Sequence, residues 1–353
     1  MGGGEFVTVA IANTLAQNNY PVALFTAKVV NPKAIKDFFG ETLHPKIQTV
    51  TQPTSINPKG LPGFYQTIFR SYNAKTKCNL FIDPFSNCVF PWTNISYIHY
   101  PILNQQAFSK RFPYLQSPHH LEVGIIPHVF FEKNLVDYNG KLVLANSHYT
   151  ANEVRKYSGK EVQVLYPPYT STINNIPQSS KQNLVVTVSR FESNKKLENI
   201  PIIASKTSKN INFAIIGRLY DKATLASLEV SVKKLDLTER VKFYPDLPAQ
   251  QKLALLSTAK GYLHTMVGEH FGISIVEAMA SGCIPVVHNS GGMKEFVPAP
   301  NRYESLQDAA DKIDSAINDW SVEKTWEPKR IVEQFSIANF SKRFMELFLK
   351  YLN

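Results

Sequence analysis

An α/β fold of two doubly wound, Rossmann-like domains in series, facing one another across a cleft, is what this sequence predicts. Three observations carry the prediction. The chain has 353 residues, enough for two domains with their own cores at about 100 to 200 residues per domain. Short apolar runs of strand length recur along it, most followed by a polar or glycine-bearing segment, as in a parallel sheet with crossover helices. The series stops at a Pro-, Ser- and Asn-rich stretch, YPPYTSTINNIPQSSKQN, and then starts again.

Taken in order, Glu5 to Gln17 has apolar side chains at helical spacing and leads into YPVALFTA, a strand-length run. CNLFID, ISYIHY, KLVLANS and VQVLYPP each read as a buried strand. The boundary falls near residues 170–182. Beyond it LVVTVS, NFAIIG, VKFYP, GYLHTM and CIPVVH form the second series, separated by helical segments. No short repeat of fixed period appears, which argues against a solenoid. Domains of this kind bind ligands at the carboxyl ends of their strands.

Composition narrows the function. Hydrophobic residues make up 44%, charged residues 19% and aromatic residues 12%, a globular profile, and no segment approaches the roughly 18 uninterrupted apolar residues of a membrane span. Thirty-eight Lys and Arg against 28 Asp and Glu leave a charge of +10. That excess favours a polyanion: nucleic acid, an anionic membrane face or a phosphorylated ligand. Through residue 170 there are 15 basic side chains (12 Lys and 3 Arg) against 9 acidic, or +6, leaving +4 for the rest. The first half also holds two aromatic and basic stretches, 61–77 and 108–120. In the first, Phe64, Tyr65, Ile68, Phe69 and Tyr72 fall at helical spacing beside Arg70, Lys75 and Lys77. Such a helix either packs on its own sheet or rests in a membrane interface. Cys78, Cys88 and Cys283 form no C-x-x-C and fit a reducing cytosol. The amino terminus lacks the basic and apolar regions of a secretory signal, so no export is expected.

The segment 261–292, GYLHTMVGEHFGISIVEAMASGCIPVVHNSGG, carries the most chemistry. It reads strand, glycine-bearing loop, helix, strand, glycine turn. The loop Gly268 to Gly272 leads into a helix starting near Ile273, so the amides of Phe271, Gly272, Ile273 and Ser274 converge where anionic oxygens bind. Glu269 and Glu277, in an E-x7-E spacing, present two carboxylates suited to accepting hydrogen bonds from sugar hydroxyls. Both carboxylates would repel a diphosphate, which is left to the amides and to cations. Arg190, Lys195 and Lys196 follow a strand and form a second cationic element. By themselves they read rather as a solvated surface loop. Gly2, Gly3, Gly4 and Glu5 precede a helix as a glycine-rich turn that permits close ligand approach. His99 ends an apolar strand, as a donor or proton carrier in the cleft or as a structural residue.

Together these elements resemble the retaining family-4 glycosyltransferases of GT-B architecture. The resemblance is carried by GGGE at 2–5, IHYP at 98–101, LANSHYT at 144–150, VLYPP at 164–168, VSRFESNKK at 188–196 and HTMVGEHFGISIVEAMASGCIPVVHNSGG at 264–292. Within the family, the YIHYP, YPP, HTM, EHFG and HNSGG strings are most similar to the branch that adds α-1,2-linked mannose to lipid-linked oligosaccharide on a cytosolic membrane face. The resemblance implies that Glu277 holds the ribose hydroxyls of the nucleotide and Glu269 the donor sugar. The amides of Phe271 to Ser274 then meet sugar and diphosphate, Arg190 and Lys195 neutralise the leaving diphosphate, and His99 projects toward the donor sugar. Gly3 and Gly4 fall to the nucleotide-sugar site. The class needs no metal or other cofactor, and none of the ten aspartates forms a D-x-D pair.

The resemblance further implies an acceptor-binding domain over 1–170, a nucleotide-sugar domain over 171–330, and a last helix, 331–353, returning to the first. Family members open with a strand before the glycine turn, but only Met1 precedes Gly2, so that strand is missing from this chain and the roles of the glycines are open. The expected donor is GDP-mannose and the expected acceptor a polyprenyl- or dolichyl-diphosphate oligosaccharide, at a cytoplasmic site with peripheral contact to an anionic membrane. The alternatives are a UDP-sugar enzyme with another lipid or soluble acceptor and, from a different class, a non-catalytic polyanion or nucleic-acid binder. Against the last, basic residues are not clustered in runs and no nucleic-acid motif is present.

Overall fold

The structure, a computed structural model, describes residues 2–52, 61–101, 136–169 and 181–353, with backbone alone at 61–65 and 67. The aromatic and basic stretch 108–120 lies outside the described residues. The chain forms two compact units. Unit 1 comprises Met1–Lys36, Glu41–Pro167 and Phe340–Asn353, and unit 2 comprises Asp37–Gly40 and Pro168–Asn339.

In unit 1, strands β1 (Ala23–Thr26) and β2 (Gln48–Thr51) form a parallel pair. Strands β3 (Ile82–Asp83), β4 (Ile95–Ile98), β5 (Leu142–Ala145) and β6 (Gln163–Val164) form a parallel sheet in that order. β2 is a polar segment, QTVT, that sequence patterning passes over. Helix α1 (Gly3–Gln17) carries no charge after Glu5 and is apolar nearly all round, the mark of a helix covered on more than one side. Its Val7, Ala10, Ile11 and Leu15 pack with Ile95 and Tyr97 of β4. They also meet Phe340, Phe344, Leu347 and Phe348 of a carboxyl-terminal helix, Ile337–Leu352, whose apolar side chains recur at one-turn spacing. Thr14 Oγ1 and Ser341 Oγ share a hydrogen bond of 2.8 Å in the same packing.

Two expectations change. The glycines Gly3 and Gly4 are the first turn of α1 rather than a turn ahead of it: Gly2 is the extended N-cap, and the Glu5 carboxylate accepts its amide at 3.0 Å. The return to unit 1 also starts later than residue 331. The helix Trp326–Glu333 stays with unit 2, because Phe335, just beyond it, packs edge-on to Phe271 and Phe296 and accepts the Tyr169 amide on its carbonyl at 3.1 Å. The Asn339 amide then bonds the Ser336 hydroxyl at 3.3 Å, capping the new helix.

The helix Leu61–Lys75 meets its own unit through buried Ser71 and Ala74. Ser71 Oγ accepts from Trp92 Nε1 at 3.1 Å, while Phe69 and Tyr72 are exposed. Among the described residues no helix is long and apolar enough to cross a membrane.

Unit 2 is built on a six-stranded, wholly parallel sheet. In chain order its strands are β7 (Gln182–Val188), β8 (Asn212–Gly217), β9 (Val241–Pro245), β10 (Ala259–His264), β11 (Ile284–His288) and β12 (Arg302–Tyr303). In space the order is β12-β11-β10-β7-β8-β9, with the first strand of the series in the middle. The runs Leu-Val-Val, Phe-Ala-Ile-Ile and Tyr-Leu sit in the middle of the sheet because both its faces are covered. Val185, Phe213, Ile215, Leu263 and Val286 share one core with Ile200, Ile203, Ile313 and Ile317 of the flanking helices. β7 and β10 are paired neighbours from which the chain winds in opposite directions. That is the switch point at which a doubly wound sheet opens a crevice beyond its carboxyl ends.

Candidate functional site

The two strands at the switch point end in the two loops that the sequence singles out. After β7 comes Ser189 to Lys196, and after β10 comes Thr265 to Gly272, which leads into a helix at Ile273–Ala280. The loops are tied together: Thr265 Oγ1 donates to the Lys195 carbonyl at 2.8 Å. Gly217 closes the end of β8 against the first loop, and a β-carbon there would fall 1.7 Å from the Ser189 carbonyl oxygen, so no larger residue fits.

The second loop is held from the other side by the turn after β11. Ser290 Oγ accepts the Gly268 amide at 2.8 Å and lies 2.8 Å from His288 Nδ1, and the Gly292 amide donates to the Glu269 carbonyl at 2.8 Å. Gly291, at φ 70°, makes that approach possible, since a β-carbon would sit 2.3 Å from the Glu269 carbonyl oxygen. The HNSGG string is therefore a brace for the GEHFG loop.

Each glutamate of the E-x7-E spacing carries a lysine. Lys195 Nζ bonds Glu269 Oε2 at 3.0 Å and lies 3.0 Å from Met266 Sδ, with both charged side chains largely buried. His264 Nε2 is 3.3 Å from the same oxygen. Burial alone would raise the Glu269 carboxyl, but Lys195 foremost, then His264 and His270, hold it well below the usual carboxylate range. Glu277 lies in the second turn of the helix Ile273–Ala280, where Lys252, from the helix Ala249–Thr258, bonds its Oε2 at 3.0 Å. Ser274, one turn earlier, accepts the Tyr262 hydroxyl at 2.8 Å. Lys252 and His264 escape sequence selection, since neither stands in a spacing with its glutamate that local chemistry would flag.

The remaining positions sort as follows. Gly272, at φ 92°, caps the helix, and the amides of Gly272, Ile273 and Ser274 occupy its start, where intrahelical acceptors run out. The Phe271 side chain is core, packed on Phe296 and Phe335, so only its backbone suits a ligand. Arg190 does not join the cluster: its guanidinium pairs with Glu192 at 3.0 Å and stacks over Tyr220, about half exposed. Lys196, at φ 55°, pairs with Glu198 at 3.6 Å.

His99 belongs to a different arrangement, at the end of β4 in unit 1. Its Nε2 lies 2.9 Å from the Pro84 carbonyl, which only accepts, so Nε2 carries the proton. Burial brings the ring's pKa down to about 4. The imidazole is thus neutral near pH 7 and offers a lone pair at Nδ1. Asn87, at φ 63°, fixes the strand end by accepting the His99 and Tyr100 amides at 2.7 and 2.9 Å. Gly4, in the first turn of α1, stands against Phe85 and His99, each within 3.6 Å of where its β-carbon would be. The structure thus brings Gly4 and His99 together in unit 1, and in unit 2 Lys195 with Glu269 and Lys252 with Glu277.

A crevice at a parallel switch point, with a helix start, a buried lysine and two lysine-paired carboxylates, suits a ligand with both a diphosphate and hydroxyl groups. Comparison with known proteins gives the class. Residues 170–331 match the family described as "Glycosyl transferases group 1". The chain is 26% identical over 319 residues to a Dictyostelium discoideum protein, across 77% of this chain and 62% of that one. It is 28% identical over 294 residues to a human protein, across 71% and 58%. Both relatives are named GDP-Man:Man(3)GlcNAc(2)-PP-Dol alpha-1,2-mannosyltransferase. The chain therefore spans about three fifths of these relatives' lengths.

Solved structures place the fold. WaaG, a glycosyltransferase involved in lipopolysaccharide biosynthesis, superposes with a TM-score of 0.74 at 14% identity, covering 98% of this chain and 96% of that one. A sucrose-phosphate synthase from Thermosynechococcus elongatus gives 0.74 at 17%, covering 99% and 94%. Anabaena HepE, in complex with UDP and glucose, gives 0.66 at 18%, covering 99% and 96%. The fold is that of the GT-B glycosyltransferases.

Proposed function

We propose that this chain is a retaining glycosyltransferase that moves mannose from GDP-mannose to a polyprenyl- or dolichyl-diphosphate oligosaccharide. The observation that carries the reading is the pairing of Glu269 with Lys195 and of Glu277 with Lys252 on the loop and helix that follow β10 at the β7/β10 switch point, the loop being braced by the β11 turn. The names of the curated relatives support the donor and acceptor.

In this reading Glu277 accepts the ribose hydroxyls and Glu269 a hydroxyl of the donor sugar. The amides at the start of the helix Ile273–Ala280 and the Lys195 ammonium meet the diphosphate, whose negative charge grows as the bond to the sugar breaks. Preorganised positive groups there lower the barrier without a metal ion. Lys195 exchanges its Glu269 partner for a phosphate oxygen, and Arg190 follows from its more exposed place beside Glu192. His99, neutral, accepts a sugar hydroxyl at Nδ1. Unit 1 takes the acceptor, and its basic balance together with exposed Phe69 and Tyr72 supports contact with an anionic membrane.

Purified protein is expected to release GDP from GDP-mannose when given the lipid-linked oligosaccharide, and to keep doing so in EDTA. Thermal stabilisation by GDP above UDP and ADP, about 2.7 kcal/mol at 100 times the dissociation constant, fixes the base. Stabilisation by UDP alone overturns the donor, and tight, steeply salt-dependent nucleic-acid binding without nucleotide binding overturns the class.

A further inference from the structure

The two lysines of the E-x7-E pair stand in different chemical positions. Lys195 comes from a loop and shares its surroundings with Met266, at the place where a diphosphate is expected. Lys252 comes from the first turn of the helix Ala249–Thr258 and reaches Glu277 in the second turn of the next helix, with side-chain exposures of only 19% and 13%. Its backbone is fixed as well, the Lys252 amide bonding the Pro248 carbonyl at 3.0 Å. One turn before Glu277, the buried Tyr262 hydroxyl holds Ser274. The ligand-facing side of the helix Ile273–Ala280 is therefore pinned at two points by groups from two other elements.

We infer that Lys252 is a positioning residue for nucleotide recognition: it clamps one oxygen of Glu277 so that the rest of the carboxylate is aimed to read the ribose hydroxyls. The inference rests on the transferase reading above and deepens it. An ionised carboxylate has about four lone-pair sites. Lys252 takes one, on Oε2, and leaves enough for two hydroxyl donors. The lysine also cancels the carboxylate's charge locally, so that the group reading the sugar does not repel the diphosphate attached to it. An unclamped glutamate would keep its charge but lose its fixed rotamer, and a hydroxyl contact made to a mobile acceptor contributes little selectivity.

The test is calorimetric binding of GDP and of 2′,3′-dideoxy-GDP to the full chain, with UDP and ADP as further probes, for wild type, Lys252→Met, Lys252→Gln, Lys252→Arg and Glu277→Gln. Two hydrogen bonds to a charged acceptor should give the wild type a preference for the ribonucleotide of about 30-fold or more. Lys252→Met and Lys252→Gln are expected to bring it below about 3-fold, Lys252→Arg to keep most of it, and Glu277→Gln to remove it. A merely structural lysine would lower the melting temperature and leave this ratio untouched. If either neutral variant that folds keeps the wild-type ratio while Glu277→Gln loses it, the positioning role is overturned and the transferase reading stands. If the wild type binds no nucleotide, both fall.

Discussion

Units 1 and 2 each place polar groups at the carboxyl end of a central parallel strand, yet they satisfy them in opposite ways. At the end of β10, Glu269 is ionised and held by Lys195, and Glu277 by Lys252. At the end of β4 the buried imidazole avoids charge. His99 is neutral against the Pro84 carbonyl. At the end of the neighbouring strand β3, burial pushes the Asp83 carboxyl up, while it accepts hydrogen bonds from the Ser86 hydroxyl and from the Phe85 and Ser86 amides. The difference teaches what each end can hold. An array of paired charges can trade a partner for a phosphate at little net cost, whereas a neutral, hydrogen-bonded ring suits neutral hydroxyls.

The largest break in that comparison comes from Glu269→Ala, which strands Lys195 beside His264. Removing one partner of a mostly buried ion pair costs about 3 to 5 kcal/mol, so denaturant unfolding of unit 2 should lose roughly that amount, with loss of sugar transfer. Adding Lys195→Met should recover part of the stability and none of the activity. Full recovery of activity would mean that the pair is only structural.

The next effect sharpens the contrast through pH. His99 has a folded pKa of about 4 against an ordinary value of 6.5. Between these values the unfolded chain binds a proton that the native chain does not, so unit 1 loses stability as pH falls through that window, by up to about 3 kcal/mol. Glu269 acts lower: its folded pKa is depressed, so its contribution is present above its ordinary value of 4.5 and is lost as pH falls beneath it. Unfolding curves between pH 7.5 and 4.5 should therefore slope for unit 1, and His99→Gln should flatten that slope without touching unit 2. An unchanged slope would show that the ring titrates normally.

The smallest of the three is Gly291→Ala. The added carbon meets the Glu269 backbone at 2.3 Å from a φ of 70°, and relief of such a clash costs about 2 kcal/mol. Nucleotide affinity should fall with it, because the loop carrying Glu269 must shift. Unchanged affinity would mean that the brace does not set the carboxylate.

How much of this could be read beforehand follows burial. The strands of unit 2 were legible because covering both faces of a sheet demands the uninterrupted apolar runs that β7, β8 and β10 show. β2, with an exposed and polar QTVT, and the two-residue β12 leave no such run. Helical periodicity continues across 326–352 and hid the break between two helices, although Ser336 before Ile337 is the local signal of a new start. In the site, Glu269, Glu277 and Lys195 were legible from motif strings. Lys252 was not, since it reaches Glu277 from a different helix, 25 positions away. Nor could sequence assign the His99 proton, because the deciding partner is a backbone carbonyl 15 residues back.

The brace between the turn after β11 and the Glu269 loop carries one more consequence. Gly268 and Gly292 each donate an amide across it, so the two segments share hydrogen bonds that must break together. Segments coupled in this way open as one cooperative unit rather than fraying separately. The glycine-rich loop, flexible by composition, thereby takes on the slow amide exchange of the sheet behind it.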